Sequence, residues 1–471
     1  YMSENSQIRK LRNRVVVYNL QDKSRTKKHN LRKRSISEIE PEQIMDNNKK
    51  QRTEYKEELG NWDDFNKYSG RYPHNPWVSA TKIKNYMLND PVLDWYNIYY
   101  LNMGLNERSA NRSNINKESN NLSVLMEMGN KFEDYVLDNL RQKFPDSIYR
   151  IADDFKDINR SKSNMTFNKM KDGIPIIEQA VLYNNKNKTF GVADLIIRSD
   201  WINKLFDKEI ISDEDEIISA PNLSGNYHYR VIDIKWTTLN LCVNGKHIRN
   251  SDRFPAYKGQ LAVYNAAMGM LQGYTPTEAY ILSKSWKYTK CNKTHRGYNC
   301  FDLLGVIDYA GFDKKYVEMT SCAIDWIRQV RNEGNKWSHN PPSVPELYPN
   351  MCNRYDAPYN AVKREHAENI KELTCLWNVG PKNRQIGHEN DIYKYSDPRC
   401  TAQNLGINGE KTSVVLDEMI KINNNRDNHI KLRPRVIANN NDNWQNKIET
   451  EFFVDFESLN TQFINKEINL S

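Results

Sequence analysis

"RVIDIKW", residues 230–236, sets an acid and a base two positions apart, Asp233 and Lys235, inside a run that otherwise reads as a strand. Its valine, isoleucine and tryptophan favour a pleated, half-covered surface, and the two-residue period of a strand aims Asp233 and Lys235 at the same face. Such a pair is either a solvated edge, where same-face charges contribute about 0.2–1 kcal/mol, or part of a site. The flanking sequence decides between these readings.

Upstream, "IPIIEQAVLY" (174–183), "NNKNK" and "TFGVADLIIR" (189–198) read as strand, polar turn and strand, a hairpin of open register. An acidic insertion containing "SDEDEI" runs to about residue 226 and reads as a surface loop. Downstream, "AYKGQLAVYNAAMGMLQG" (256–273) is predicted as a helix with alanine and methionine on its packed side, and "TEAYILSKSW" (277–286) as a fourth strand. Before the hairpin, "LSVLMEMGNKFEDYVLDNLRQKF" places Phe132, Val136, Leu137, Leu140 and Phe144 at helical spacing. The order helix, three strands, helix, strand predicts an α/β or α+β fold, a mixed sheet flanked by helices.

Further elements frame this core. "WVSATKIKNYMLNDPVLDWYNIYY" (77–100) reads as a helix capped at Ser79 or Thr81 and a second helix after Pro91. "NERSANRSNINKESNN" (106–121) is predicted as a polar loop. "DKKYVEMTSCAIDWIRQVRNEG" (313–334) is an amphipathic helix, and the proline-rich "HNPPSVPELYP" separates it from the helical "AVKREHAENIKELTCLWNVG" (361–380). The expected organisation is a basic arm over 1–60, a core domain over 61–340, a helical connecting region over 341–440 and a further segment over 441–471.

The chain has 471 residues, 38% hydrophobic and 27% charged, with a formal net charge of +8. It is polar but rich in tyrosine and tryptophan, unlike a disordered chain. No run approaches the roughly 20 apolar residues of a membrane span, and no signal peptide is visible. Seven scattered cysteines without a Cys-x-x-Cys pair are expected to be reduced thiols of an intracellular, non-secreted protein, not a zinc or iron–sulfur site. Lysine and arginine crowd the first 34 residues, in "IRKLRNR" and "KSRTKKHNLRKR", which suits either a phosphate backbone or a solvated, localising arm.

Four pieces bear on chemistry. "GNKFEDYV" offers Glu133 at the border of an apolar stripe, and "GVADLII" offers Asp194 among apolar residues, with Gly191 allowing close backbone approach. "VIDIKW" gives Asp233 and Lys235, and "KGQLAVY" gives Lys258, with Gln260 and Tyr264 on one helical face. Taken singly, each has a structural explanation. Taken together, acids on successive strands between two helices that carry polar groups suit phosphodiester hydrolysis. Converging carboxylates hold Mg²⁺ or Mn²⁺, hard cations that prefer oxygen, and the backbone carbonyl of Ile234 offers another oxygen. The metal activates a water, and Lys235 would orient or deprotonate that water or stabilise the oxyanion. Lys258 and the basic arm are expected to help hold phosphates.

These pieces, in this order, resemble the PD-(D/E)XK nuclease superfamily, in its RecB-like and lambda-exonuclease-like branch. "GNKFEDYV" is similar to that branch's Gly-x-x-x-Glu helix, "GVADLII" to its Gly-x-x-Asp strand, "VIDIKW" to its Asp-x-Lys strand and "KGQLAVY" to its Gln-x-x-x-Tyr helix. "VSATKIKNY" resembles the first helix of RecB-like nucleases. The resemblance spans roughly 77–290 and, within the superfamily, is nearest to giant-virus, CRISPR-nuclease-like proteins. It implies a restriction-endonuclease-like core in which Glu133, Asp194 and Asp233 bind metal, Lys235 is catalytic, and Gln260 and Tyr264 support the site or touch DNA. It further implies a DNA exonuclease with endonuclease potential, a helicase partner and self-association. The alternatives are a catalytically silent nucleic-acid-binding module of a helicase–nuclease system, and an RNA endonuclease of the same fold. The relatives' four-cysteine iron–sulfur cluster is not expected, because the first cysteine here is Cys242. "TEFFVDFESL" (450–459) resembles the opening strand of a ribonuclease-H-like exonuclease, with Asp455 and Glu457 as its metal acids. The residues that follow are too few for such a domain, so only its start is expected.

Overall fold

In a computed structural model the described residues are 75–99, 112–154 and 157–424. They belong to one unit, 48–471. The expected basic arm (1–60) and the segment with Asp455 and Glu457 lie outside the described residues.

Among the described residues eight strands form one mixed sheet: β1 (Val78–Ser79), β2 (Ile148–Arg150), β3 (Ile176–Asn184), β4 (Thr189–Arg198), β5 (Tyr229–Asn240), β6 (Glu278–Lys290), β7 (Lys293–Gly297) and β8 (Gly305–Asp308). Their order is β2-β3-β4-β5-β6-β7, with β1 added beside β4 and β8 beside β6. The β3–β4 and β4–β5 pairs are antiparallel, whereas β5–β6 is parallel. That parallel step needs a crossover, and the helix between β5 and β6 supplies it.

Eleven helices accompany the sheet among the described residues. They are α1 (Lys84–Met87), α2 (Val92–Tyr99), α3 (Arg112–Lys143), α4 (Arg160–Lys171), α5 (Ser199–Leu205), α6 (Asp213–Glu216), α7 (Phe254–Gln272), α8 (Lys315–Glu333), α9 (Asn360–Ile370), α10 (Pro381–Glu389) and α11 (Glu410–Asn424). The alternation of side chains along each strand feeds two cores. On one face Ile196, Val231 and Ile281 pack with Leu261, Tyr264 and Met268 of α7. On the other, Leu195, Ile197, Ile232 and Ile234 pack with Phe132, Val136, Leu137 and Leu140 of α3. The chain beyond residue 370 builds a third cluster from Leu373, Leu376, Ile392, Leu405 and Leu416.

The mixed sheet and its flanking helices match the expected fold class; several local readings need correction. Residues 112–121, read as loop, are the first turns of α3. No proline or glycine lies between Arg112 and Met128 to break that helix once its apolar C-terminal half is anchored. The region around Ser79 is a short strand followed by a 3₁₀ turn over Ala80–Ile83, and Ser79 makes no side-chain cap. The insertion between β4 and β5 is not wholly surface loop, because Ile202, Leu205, Phe206, Ile210 and Ile211 are buried in the α3-side core. Helix α7 ends as its sequence predicts, on Gly273 in the left-handed region at φ +77°.

Candidate active site

The β4–β5 ladder ends on the pair Leu195↔Ile232, and the next rung would set Asp194 opposite Asp233. Like charges directly opposite each other repel, and here the backbone pairing stops where they would meet. The Asp194 carboxylate instead takes over a ladder bond: its Oδ2 accepts from the Ile234 amide at 2.7 Å. Just beyond, the β5–β6 register shifts between Lys235 and Thr238, a bulge of the kind that re-aims side chains near sites.

Lys235 bridges the two acids. Its Nζ stands 2.7 Å from Asp233 Oδ2 and 3.8 Å from Asp194 Oδ2. It also donates at 3.4 Å to the carbonyl of Ile234, so that oxygen faces the lysine. Asp233 is 1% exposed, and neither of its oxygens has a directional hydrogen-bond partner among the described residues. The ammonium beside it attracts by charge without hydrogen-bond geometry.

Burial pushes the Asp233 carboxyl up to about 7, with the Asp194 charge adding to the rise and Lys235 opposing it. Burial alone would lower the Lys235 pKa, but the charges of Asp233 and Asp194 outweigh it and hold the ammonium well above the ordinary lysine range. Lys235 is therefore a cation in this arrangement, not a free base.

Glu133 reaches the cluster from α3, on the opposite side of the sheet. Burial raises its carboxyl to about 7, reinforced by the charge of Asp194 and opposed by that of Lys235. Its Oε1 accepts from Gln179 Nε2 in a short hydrogen bond. Sequence reasoning missed Gln179, which reads as an ordinary strand position. In β3 it falls between the paired Glu178↔Leu195 and Ala180↔Ala193, across from Asp194, and its φ is +49°. A non-glycine residue in that region costs about 1–3 kcal/mol and is characteristic of functional sites. No sequence pattern marks it.

Gln260 and Tyr264 are joined by a 2.9 Å hydrogen bond from Gln260 Nε2 to the Tyr264 hydroxyl. Burial, then the charge of Asp233, raises the Tyr264 pKa, so the phenol stays protonated. Gly191 makes this packing possible: a Cβ there would lie 2.4 Å from Tyr264 Cε1. Tyr257, also unforeseen, places its ring 5.6 Å from Lys235 Nζ.

Lys258 does not hold phosphates. It is fully buried, and its Nζ donates to Asp313 Oδ1 at 2.6 Å, to Ile248 O at 2.7 Å and to Asn250 Oδ1 at 2.7 Å. Its place on the inner face of α7 makes it a tether for the loops that flank the sheet.

No family model, curated protein or solved structure matches the chain. No group of three or more His, Cys, Asp or Glu side chains that could hold a metal ion is present among the described residues. None of their helices is long and apolar enough to cross a membrane. The donor set that does exist is the pair Asp194 and Asp233, with Glu133 near enough for the Asp194 charge to act on it. Burial, before any charge, raises the Glu133 and Asp233 carboxyls, and oxygen donors of this kind suit a hard divalent cation.

Proposed function

We propose that the chain is a Mg²⁺- or Mn²⁺-dependent DNA nuclease with a restriction-endonuclease-like core, acting chiefly from DNA ends. The observation that carries this reading is the convergence of Asp194, Asp233 and Lys235, from two adjacent strands, on contacts of 2.7 and 3.8 Å. A surface made only to grip nucleic acid has no use for clustered carboxylates, which repel phosphate.

Asp194 and Asp233 would hold the ion, with Glu133 beside them, and a bound divalent ion would acidify a water and neutralise the attacked phosphate. The Lys235 ammonium, 22% exposed, is placed to offset charge that builds on the phosphoryl oxygens. The Ile234 amide fixes the Asp194 carboxylate, and Gln179 fixes Glu133, so neither acid must reorganise when substrate arrives. Gln260 and Tyr264 form a neutral, hydrogen-bonded wall beside the acids.

The test is digestion of linear and circular DNA by the full chain with Mg²⁺, Mn²⁺ or EDTA. Metal-dependent loss of linear DNA is expected, and Asp233→Ala or Lys235→Ala should abolish it while the protein remains folded. Cleavage at the wild-type rate by both variants overturns the assignment.

A further inference from the structure

A cavity of about 700 Å³ opens beside the acid cluster, with Tyr257 and Gln260 on the shared wall. Four exposed cations line it: Lys84 from α1, Arg253 before α7, Arg354, and Arg364 from α9. None of the four is paired with an acid among the described residues. The one acid on the wall, Asp356, is already held at 2.5 Å by the buried Lys363 ammonium. Burial first, then the charge of Arg253, lowers the Lys84 pKa, with Asp356 and Asp94 opposing.

The backbone adds to this positive field. Helices α7 and α9 both begin at the cavity, where Ala256, Tyr257 and Asn360 lie on its wall. Neither helix has an acid in its first turn, and neither N-cap side chain, Arg253 or Tyr359, makes a cap; in α9 the Asn360 side chain accepts from the Ala361 amide at 2.9 Å. Both helix ends add positive potential to the cavity. Two aromatic rings are interleaved with the charges, since Tyr355 lies under the Arg253 guanidinium at 4.4 Å and Tyr257 lies toward Lys235.

We propose that this groove is the track for one strand of DNA, with phosphates on Lys84, Arg253, Arg354 and Arg364 and bases against Tyr257 and Tyr355. Size argues for one strand over two. A cavity of about 700 Å³ falls among small-ligand pockets, which span roughly 300–1,000 Å³, and suits a short stretch of one strand. Cationic walls with interleaved aromatic faces are the recognition chemistry of single strands. The chain beyond the sheet, residues 353–364, supplies half of the cations, so the C-terminal region is part of substrate binding. In purpose, though not in its binding measurement, the inference rests on the nuclease reading.

The experiment follows a fluorescein-labelled oligothymidine by anisotropy against the full chain in EDTA, over a series of salt concentrations. Arg354→Gln/Arg364→Gln should bind about tenfold more weakly and lower the slope of log affinity against log salt by about 1.4, two phosphate contacts at about 0.7 each. Arg354→Lys/Arg364→Lys should keep most of the wild-type slope. An unchanged slope in the glutamine variant overturns the inference, as does equal binding of a duplex with equal loss in the variant, or tighter binding of oligouridine. Metal-dependent digestion reads the other proposal separately. An inert chain whose strand binding falls in the glutamine variant keeps the groove and loses the nuclease. An active chain with unaltered binding loses the groove and keeps the nuclease.

Discussion

Lys235 Nζ lies 2.7 Å from Asp233 Oδ2, and it is the nearest source of positive charge for a carboxylate that is 1% exposed. Breaking a buried pair from one side typically costs about 3–5 kcal/mol, whereas removing both charges costs far less. Lys235→Met in EDTA should therefore lower unfolding free energy by about 3 kcal/mol, and Asp233→Asn/Lys235→Met should recover most of that. Urea titrations of the three proteins decide it. If the double variant is no more stable than the single, the two side chains are not coupled as the distance implies.

Gly191 is required by close approach, not by an unusual φ. A Cβ would fall 2.4 Å from Tyr264 Cε1 and 3.3 Å from Ala80 Cβ, and the ring is itself packed. Gly191→Ala should cost about 1–3 kcal/mol as an overpacked site. Because Tyr264 must move, DNA cleavage should fall at least tenfold in the same variant. A stable Gly191→Ala protein with full cleavage would show that Tyr264 has no positioning role.

The sheet was legible because its pattern is local: alternating apolar residues and a polar turn declare β3 and β4, and a valine- and isoleucine-rich run declares β5. Asp194, Asp233 and Lys235 could be singled out because charge is uncommon in such runs. The strand splay that brings the acids together was not legible, since a ladder ends by geometry that no single residue announces. Gln179 was hidden for the same reason. Its left-handed backbone is imposed by its neighbours, and glutamine carries no signal for it. Lys258 misled in the opposite direction, because a lysine in a helix reads as solvent-facing until its tertiary partner, Asp313, is known.

Two substitutions at Gln179 separate strain from hydrogen bonding. Gln179→Ala and Gln179→Gly both lose the contact to Glu133, but only glycine is at ease at φ +49°. Gln179→Gly should be more stable than Gln179→Ala by about 1 kcal/mol. Cleavage should fall by a similar factor in both. Thermal melts paired with initial rates test this, and a rate that follows stability in place of the lost hydrogen bond would remove Gln179 from the site.

Lys258 and Asp313 form a second closed pair, both fully buried, with Asp308 N donating to the other Asp313 oxygen at 3.2 Å. Lys258→Met alone should destabilise by about 3–5 kcal/mol, since it strands the aspartate. Lys258→Met/Asp313→Leu should return a large share of that loss. DNA affinity of the double variant should match the wild type, because neither charge is available to phosphate. A marked fall in affinity with unchanged stability would restore the phosphate-binding role expected from sequence.

His228 gives a pH dependence whose sign can be worked out. It is fully buried; its Nε2 accepts from Arg230 Nε at 2.9 Å, and its Nδ1 lies 3.0 Å from the Ile218 carbonyl, which fixes a neutral ring protonated at Nδ1. Burial, then the Arg230 charge, lowers its pKa to about 4. An unfolded histidine takes a proton near 6.5, so between that pH and about 4 the unfolded state binds a proton that the folded state refuses. The contribution is therefore complete above 6.5 and is lost as pH falls, at about 1.4 kcal/mol per pH unit. Other buried groups titrate over the same range, so the quantity to measure is a difference. The stability of the wild type minus that of His228→Gln should shrink by about 2 kcal/mol between pH 7 and pH 5. A difference independent of pH would mean that the ring titrates alike in the folded and unfolded protein, and one that grows as pH falls would mean that the folded ring carries a charge.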